Sequence, residues 1–220
     1  CFVLSRFIHT SHYDHFKSHI RLVVLGASGV GKTAIIHQAL YKSFPHTHKK
    51  TVMNSYFCKG DNYLLEITDT SGSHNFPEMT ELAIIEGDVF LLVFSVDDNV
   101  TFDRVVQIRK QIMELRGEDT PIVVCGNKTD VHNRDSELSE PMTEAIVCID
   151  WESRYHELTA MDHTMCCNVI NDALRTFPTE DGKKVNIHHA TVIDSPDCKS
   201  KRRRSDRIRA SIAAFWKRLH

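Results

Sequence analysis

Between an apolar run, Ile20 to Leu25, and a helix-compatible segment, the chain reads Gly26-Ala27-Ser28-Gly29-Val30-Gly31-Lys32-Thr33. This is the spacing of a GxxxxGK[ST] phosphate loop, and its strand-loop-helix setting separates it from an ordinary glycine turn. Glycines let the backbone curl so that successive N–H groups, from Gly26 and Ser28 through Ala34, face a row of phosphates. The helix that follows adds its partial positive charge. Lys32 contributes a full charge and Thr33 a hydroxyl suited to Mg²⁺. A chain built around such a loop is expected to form an α/β sheet and to take a nucleoside triphosphate.

Farther along, strand-like Pro121 to Cys125 leads into Gly126-Asn127-Lys128-Thr129-Asp130, an NKxD signature where the strand ends. Open α/β sheets bind ligands at such carboxyl ends. The Asp130 carboxylate can accept two hydrogen bonds from guanine. Adenine has an amino group in place of guanine's carbonyl and lacks the 2-amino group, so GTP is expected over ATP. Either motif alone could be a solvated turn; about a hundred residues apart and in this order they form a specific pair.

With both motifs in place the chain resembles the Ras-like small GTPases over residues 20–177. The segments Asp69-Thr70-Ser71-Gly72-Ser73-His74-Asn75-Phe76-Pro77-Glu78-Met79 and Gly87 to Ser95 are most similar to the Di-Ras and Dexras/Rhes branches. The resemblance implies that Phe44 stacks on guanine and that Thr51 binds Mg²⁺ through its hydroxyl and the γ-phosphate through its N–H. It implies that Asp69 holds a metal-bound water and that Gly72 offers its N–H to the γ-phosphate. Thr159-Ala160 stands for the family's Ser-Ala at the last base-contacting loop, with Met161 where a lysine is usual. GTP/GDP and Mg²⁺ are the implied cofactors. Lys32, Thr51 and Gly72 are the implied catalytic groups, and Thr33, Thr51 and, through water, Asp69 the implied metal site.

The chain also departs from the family. Ser73 follows DxxG where Ras has a glutamine that orients the attacking water, and serine is too short for that task. Ser28 replaces a phosphate-loop glycine, so a side chain crowds the γ-phosphate and any incoming arginine finger. Intact GTP binding with slow, poorly stimulated hydrolysis is the expectation. In the effector segment 48–56, Met53 and Asn54 stand where Ras has two acids, beside Lys49 and Lys50. Partners using this segment and the 72–82 region are therefore expected to be acidic or apolar rather than basic.

Strand patterns fall at Ile20 to Leu25, Met53 to Cys58, Tyr63 to Thr68, Val89 to Val96, Ile122 to Cys125 and Tyr155 to Leu158, alternating with helical periods. The expected fold is a Ras-like doubly wound sheet of about six strands, mostly parallel with one antiparallel edge hairpin turning at Lys59-Gly60-Asp61-Asn62. That hairpin is about four residues shorter than in Ras, two per strand, which preserves the alternation of side chains. Stripes such as Phe102, Val105, Val106, Ile112, Met113 and Ile170, Ala173, Leu174, Phe177 read as core. At 220 residues and 41% hydrophobic content the chain can bury one full core, and a monomer is expected. Its longest apolar runs are strand-sized, below the roughly 20 residues of a membrane span. Seven unpatterned cysteines fit reduced, buried thiols of a cytoplasmic protein.

Both ends differ from this domain. Residues 1–19 are expected as a flexible, His-rich arm, since His9, His12, His15 and His19 lack the cysteines of a usual structural zinc site. Residues 178–194 are expected as a linker. From Ser195 to His220 nine Lys/Arg face two Asp, a net +7, so the rest of the chain carries −9 within an overall −2. Ile208, Ile212, Phe215 and Leu219 recur at helical spacing among Arg207, Arg209, Lys217 and Arg218, as in a membrane-surface helix. Lys199 to Arg204 would add anionic-lipid attraction. The sequence ends Lys217-Arg218-Leu219-His220 rather than in the family's prenylation box, so the amphipathic segment 199–219 is the expected anchor to the inner face of the plasma membrane. Cys198 is a candidate for palmitoylation and Ser205 for phosphorylation. A calmodulin-type target helix, a nuclear-import or nucleic-acid patch, and a solvated charge run are the competing readings of the tail. The domain lacks a nucleic-acid signature. The whole reads as a GTP-dependent signalling switch, with a GTP-bound scaffold that does not hydrolyse as the alternative.

Overall fold

The computed structural model describes residues 18–45, 53–60, 63–72, 77–131, 140–177, 185–187 and 190–193. The chain runs β1 (Ser18–Gly26), α1 (Lys32–Tyr41), β2 (Met53–Lys59), β3 (Tyr63–Thr70), α2 (Pro77–Glu86), β4 (Val89–Ser95), α3 (Asn99–Arg116), β5 (Ile122–Asn127) and α4 (Glu140–Glu144). A π-helical stretch Ala145–Asp150 continues α4, and β6 (Arg154–Glu157), α5 (His163–Arg175) and β7 (Thr191–Val192) follow. The strands form one sheet in the order β6-β5-β4-β1-β3-β2-β7. It is parallel from β6 to β3 and antiparallel where β2 meets β3 and β7.

The period-two pattern of the central strands feeds two cores. Leu22 and Val24 of β1 point into one with Ile35 and Ile36 of α1 and Val169 and Ile170 of α5. Val23 and Leu25 point into the other with Ile84 of α2 and Phe102, Val105 and Ile112 of α3. The second core closes with Trp151 stacked on Phe102 at 5.8 Å and Arg109 4.9 Å above the Trp151 ring. Asp98 starts α3 by accepting a bond from the Val100 N–H, and Asp162 starts α5 by accepting from Met165. Among the described residues no helix is long and apolar enough to cross a membrane.

The structure departs from the expected outline in several places, one of them on α3, where Val106 of the expected core stripe turns outward and is 42% exposed. A seventh strand joins the sheet, because Thr191 and Val192 pair antiparallel with Lys59 and Cys58 of β2. It lies in the stretch expected as a linker, and there Val185 and Ile187 are buried in the first core. The Ile187 N–H bonds the buried Asn171 Oδ1 at 2.7 Å, the Tyr63 hydroxyl bonds the Asn186 carbonyl at 2.7 Å, and the Ile193 N–H bonds the Phe57 carbonyl at 2.8 Å. Two buried apolar side chains and these bonds hold the stretch against the sheet. At the other end β1 takes in Ser18 and His19, two residues beyond the expected start. The rest of the N-terminal arm and the 195–220 tail lie outside the described residues.

Candidate functional site

The loop between β1 and α1 has the backbone its glycines permit. Gly26, Gly29 and Gly31 have φ of 147°, 81° and 98°, conformations that other residues rarely adopt. A side chain at Gly26 would meet the Val93 carbonyl oxygen at 2.0 Å, so glycine is needed for the loop to lie against β4. Lys32, at the first position of α1, is only 6% exposed. Its ammonium donates to the carbonyls of Gly26 at 3.0 Å and Ala27 at 2.6 Å, curling the loop around it. Burial lowers the Lys32 pKa to about 8, with the nearby Asp69 charge opposing the shift.

Parallel pairing of β1 with β3, with Val24 opposite Asp69, carries Asp69 to the mouth of the loop. There Thr33 Oγ1 donates to Asp69 Oδ2 at 2.7 Å. Hydroxyl and carboxylate oxygens side by side at a phosphate loop are the hard donors that Mg²⁺ takes, so these residues fit the metal. Gly72 comes so close that a Cβ there would lie 2.2 Å from the Ser28 nitrogen. The DxxG backbone thus abuts the loop at Ser28, whose side chain is exposed.

The base side of the site is organised by Asn127, at the end of β5 and 1% exposed. Its Nδ2 donates to the Val30 carbonyl at 2.8 Å and its Oδ1 accepts from the Ala160 N–H at 2.9 Å. One side chain therefore fastens the phosphate loop to the Thr159-Ala160 loop, and a Cβ at Gly31 would strike its Nδ2 at 2.2 Å. Asp130 projects into solvent, its loop held by the Thr129 N–H on the Leu158 carbonyl at 3.3 Å. The Thr159-Ala160 loop is tied to α1 by Gln38, whose Nε2 donates to the Met161 carbonyl at 2.7 Å, while the Met161 side chain is exposed. Phe44 is half-buried and packs on the first core beyond the end of α1.

The sequence-predicted residues Gly26, Ser28 to Ala34, Asp69, Gly72, Asn127, Lys128, Asp130, Thr159 and Ala160 line one rim at the carboxyl ends of β1, β3 and β5 and in the loop after β6. Thr51 and Ser73 lie outside the described residues. Sequence reasoning missed Gln38, which carries no motif, and Asp97, in the turn after β4. Asp97 sits at a strand's carboxyl end, the one signal that could have marked it.

Fold and rim together define a phosphate-loop nucleotide-binding protein. The Ras family model matches residues 21–179, and the chain belongs to the Ras family. GTP-binding protein Rhes of Homo sapiens is 38% identical over 161 residues, covering 67% of this chain and 60% of that protein. GTP-binding protein Di-Ras1 of Mus musculus is 34% identical over 201 residues, covering 88% of this chain and 95% of its own length. GTP-binding protein Di-Ras2 of Mus musculus is 35% identical over 147 residues, 64% of this chain and 72% of its own. The chain thus spans 60% of the length of the human Rhes protein.

Proposed function

We propose that this chain is a guanine-nucleotide signalling switch that binds GTP and GDP and hydrolyses GTP slowly. The observation that supports it best is the Asn127 side chain, whose bonds to Val30 and Ala160 hold phosphate-binding and base-binding loops in one register. Lys32 and the loop N–H groups would carry the phosphate charge, and Asp130 would select guanine. Mg²⁺, held by Thr33, Asp69 through water, and Thr51, would neutralise charge on the β- and γ-phosphates.

Slow turnover follows from Ser73, too short to direct a water, and from Ser28, whose exposed side chain stands where Gly72 meets the loop. The test is single-turnover hydrolysis by the purified protein. A rate well below that of Ras, raised by Ser73→Gln, is expected; a Ras-like rate refutes slow turnover. Nucleotide content after purification separates the switch from a scaffold that never hydrolyses, since mostly GDP marks turnover and mostly GTP marks the scaffold.

Effectors would meet segment 48–56 and the 72–82 region, where Met53 and Asn54 in place of acids favour an acidic or apolar partner. The segment 199–219 would hold the protein at an anionic membrane surface, on the cytoplasmic side of the plasma membrane, through its basic cluster and apolar stripe. Liposome flotation checks this: recruitment only to vesicles with anionic lipid is expected.

A further inference from the structure

We propose that Asp97, in the turn between β4 and α3, is a positioning residue for the base pocket and sets how long a guanine nucleotide stays bound. The inference rests on the guanine-nucleotide reading above and deepens it. Asp97 Oδ1 lies 3.8 Å from Lys128 Nζ, the second residue of the NKxD motif. The Lys128 backbone sits at φ 69°, a left-handed conformation that a lysine rarely adopts. Bonds on either side keep it there, from the Val96 N–H to the Asn127 carbonyl and from the Val131 N–H to the Lys128 carbonyl, each 3.0 Å.

The carboxylate is itself fixed in place. Ser95, 2% exposed, donates its hydroxyl to Asp97 Oδ1. The Ser95 N–H is held by Thr101 Oγ1 at 2.9 Å, and the next residue, Asp98, caps α3. Asp97 therefore stands on a turn pinned at the end of β4 and at the start of α3. A free lysine side chain samples many rotamers, and ordering it on binding costs entropy. A carboxylate that is already anchored aims the Lys128 stem beforehand, so that one wall of the base pocket is in place before nucleotide arrives.

The two side chains are 36% and 28% exposed, so water screens the pair and its effect is modest. Loss of the charge in Asp97→Asn should speed release of fluorescent GDP and GTP alike, by roughly two- to fivefold. The common factor reflects a base loop shared by both nucleotides. Added salt should accelerate release from the unsubstituted protein and affect Asp97→Asn less. In a Lys128→Met background the Asp97→Asn acceleration should vanish, which a general loosening of the turn would not produce. Unsubstituted release rates in Asp97→Asn, or the same acceleration in both backgrounds, overturn this inference alone. Failure of the unsubstituted protein to take up any guanine nucleotide overturns the nucleotide reading with it.

Discussion

Raising the pH through 8 should weaken nucleotide binding, because the phosphates need the Lys32 ammonium and burial has brought its pKa down to about 8. At that pH about half the free protein carries neutral Lys32, and bound phosphates return the group toward its ordinary value. Binding should then take up about half a proton at pH 8 and close to one a unit and a half higher, with affinity falling about tenfold between pH 7 and pH 9. For the nucleotide-free fold the sign is opposite. The folded pKa lies below the unfolded value of 10.5, so the folded state holds fewer protons between pH 8 and 10.5 and gains stability across that window. The buried charge costs roughly 3 kcal/mol in full below pH 8. Calorimetric titration with GDP in two buffers of different ionisation heat reads the proton uptake directly. Lys32→Met should remove it along with most of the affinity. Equal heats in both buffers at pH 8, with affinity flat from pH 7 to pH 9, would refute the reasoning.

Asn127→Ala strips partners from the Val30 carbonyl and the Ala160 N–H, and chemical denaturation should show a loss of about 2–3 kcal/mol together with faster nucleotide release. Gly26→Ala should leave no soluble folded protein, since its Cβ would sit 2.0 Å from a backbone oxygen. Gly29→Ala, with open space around it, should cost only about 1 kcal/mol through its φ of 81°. Burial pushes the thiols of Cys58 and Cys166 up to about 12 and Cys125 higher still. Among the described residues, alkylation of native protein at neutral pH should therefore mark the exposed Cys148 and spare these three; mass spectrometry of the digested protein reads the pattern, and rapid labelling of Cys125 would contradict it.

The parts of this fold legible in the sequence were those whose physics is local. Gly26 to Thr33 announces a loop because glycine spacing and the following lysine are needed within a few residues. Ile20 to Leu25 read as a strand because its apolar run is nearly unbroken, as a strand buried on both faces requires, and Asn127 to Asp130 read as a base site because they follow such a strand. The docked segment after α5 was hidden for the opposite reason. Val185 and Ile187 carry no helical or strand period of useful length, and the bonds that hold their stretch come from Asn171 and Tyr63, more than ten residues away in either case. The Asp97 to Lys128 pair likewise spans two strand ends that only the β4–β5 pairing, Ser95 beside Asn127, brings together. The π-helical stretch Ala145–Asp150 showed no signal of its own; it is bounded by Trp151, whose ring is claimed by Phe102 and Arg109.

β7 lies on the free edge of β2, and β2 begins at Met53, two residues after Thr51. The strand that enters from the loop predicted to sense γ-phosphate is thus bonded, at its far end, to the last described stretch before the basic tail. A shift of β2 along its own axis would drag Thr191 to Ile193 with it, or break their bonds to Lys59, Cys58 and Phe57. β2, seven residues long, thus lies between the proposed nucleotide rim at its start and the last described stretch ahead of the tail at its end.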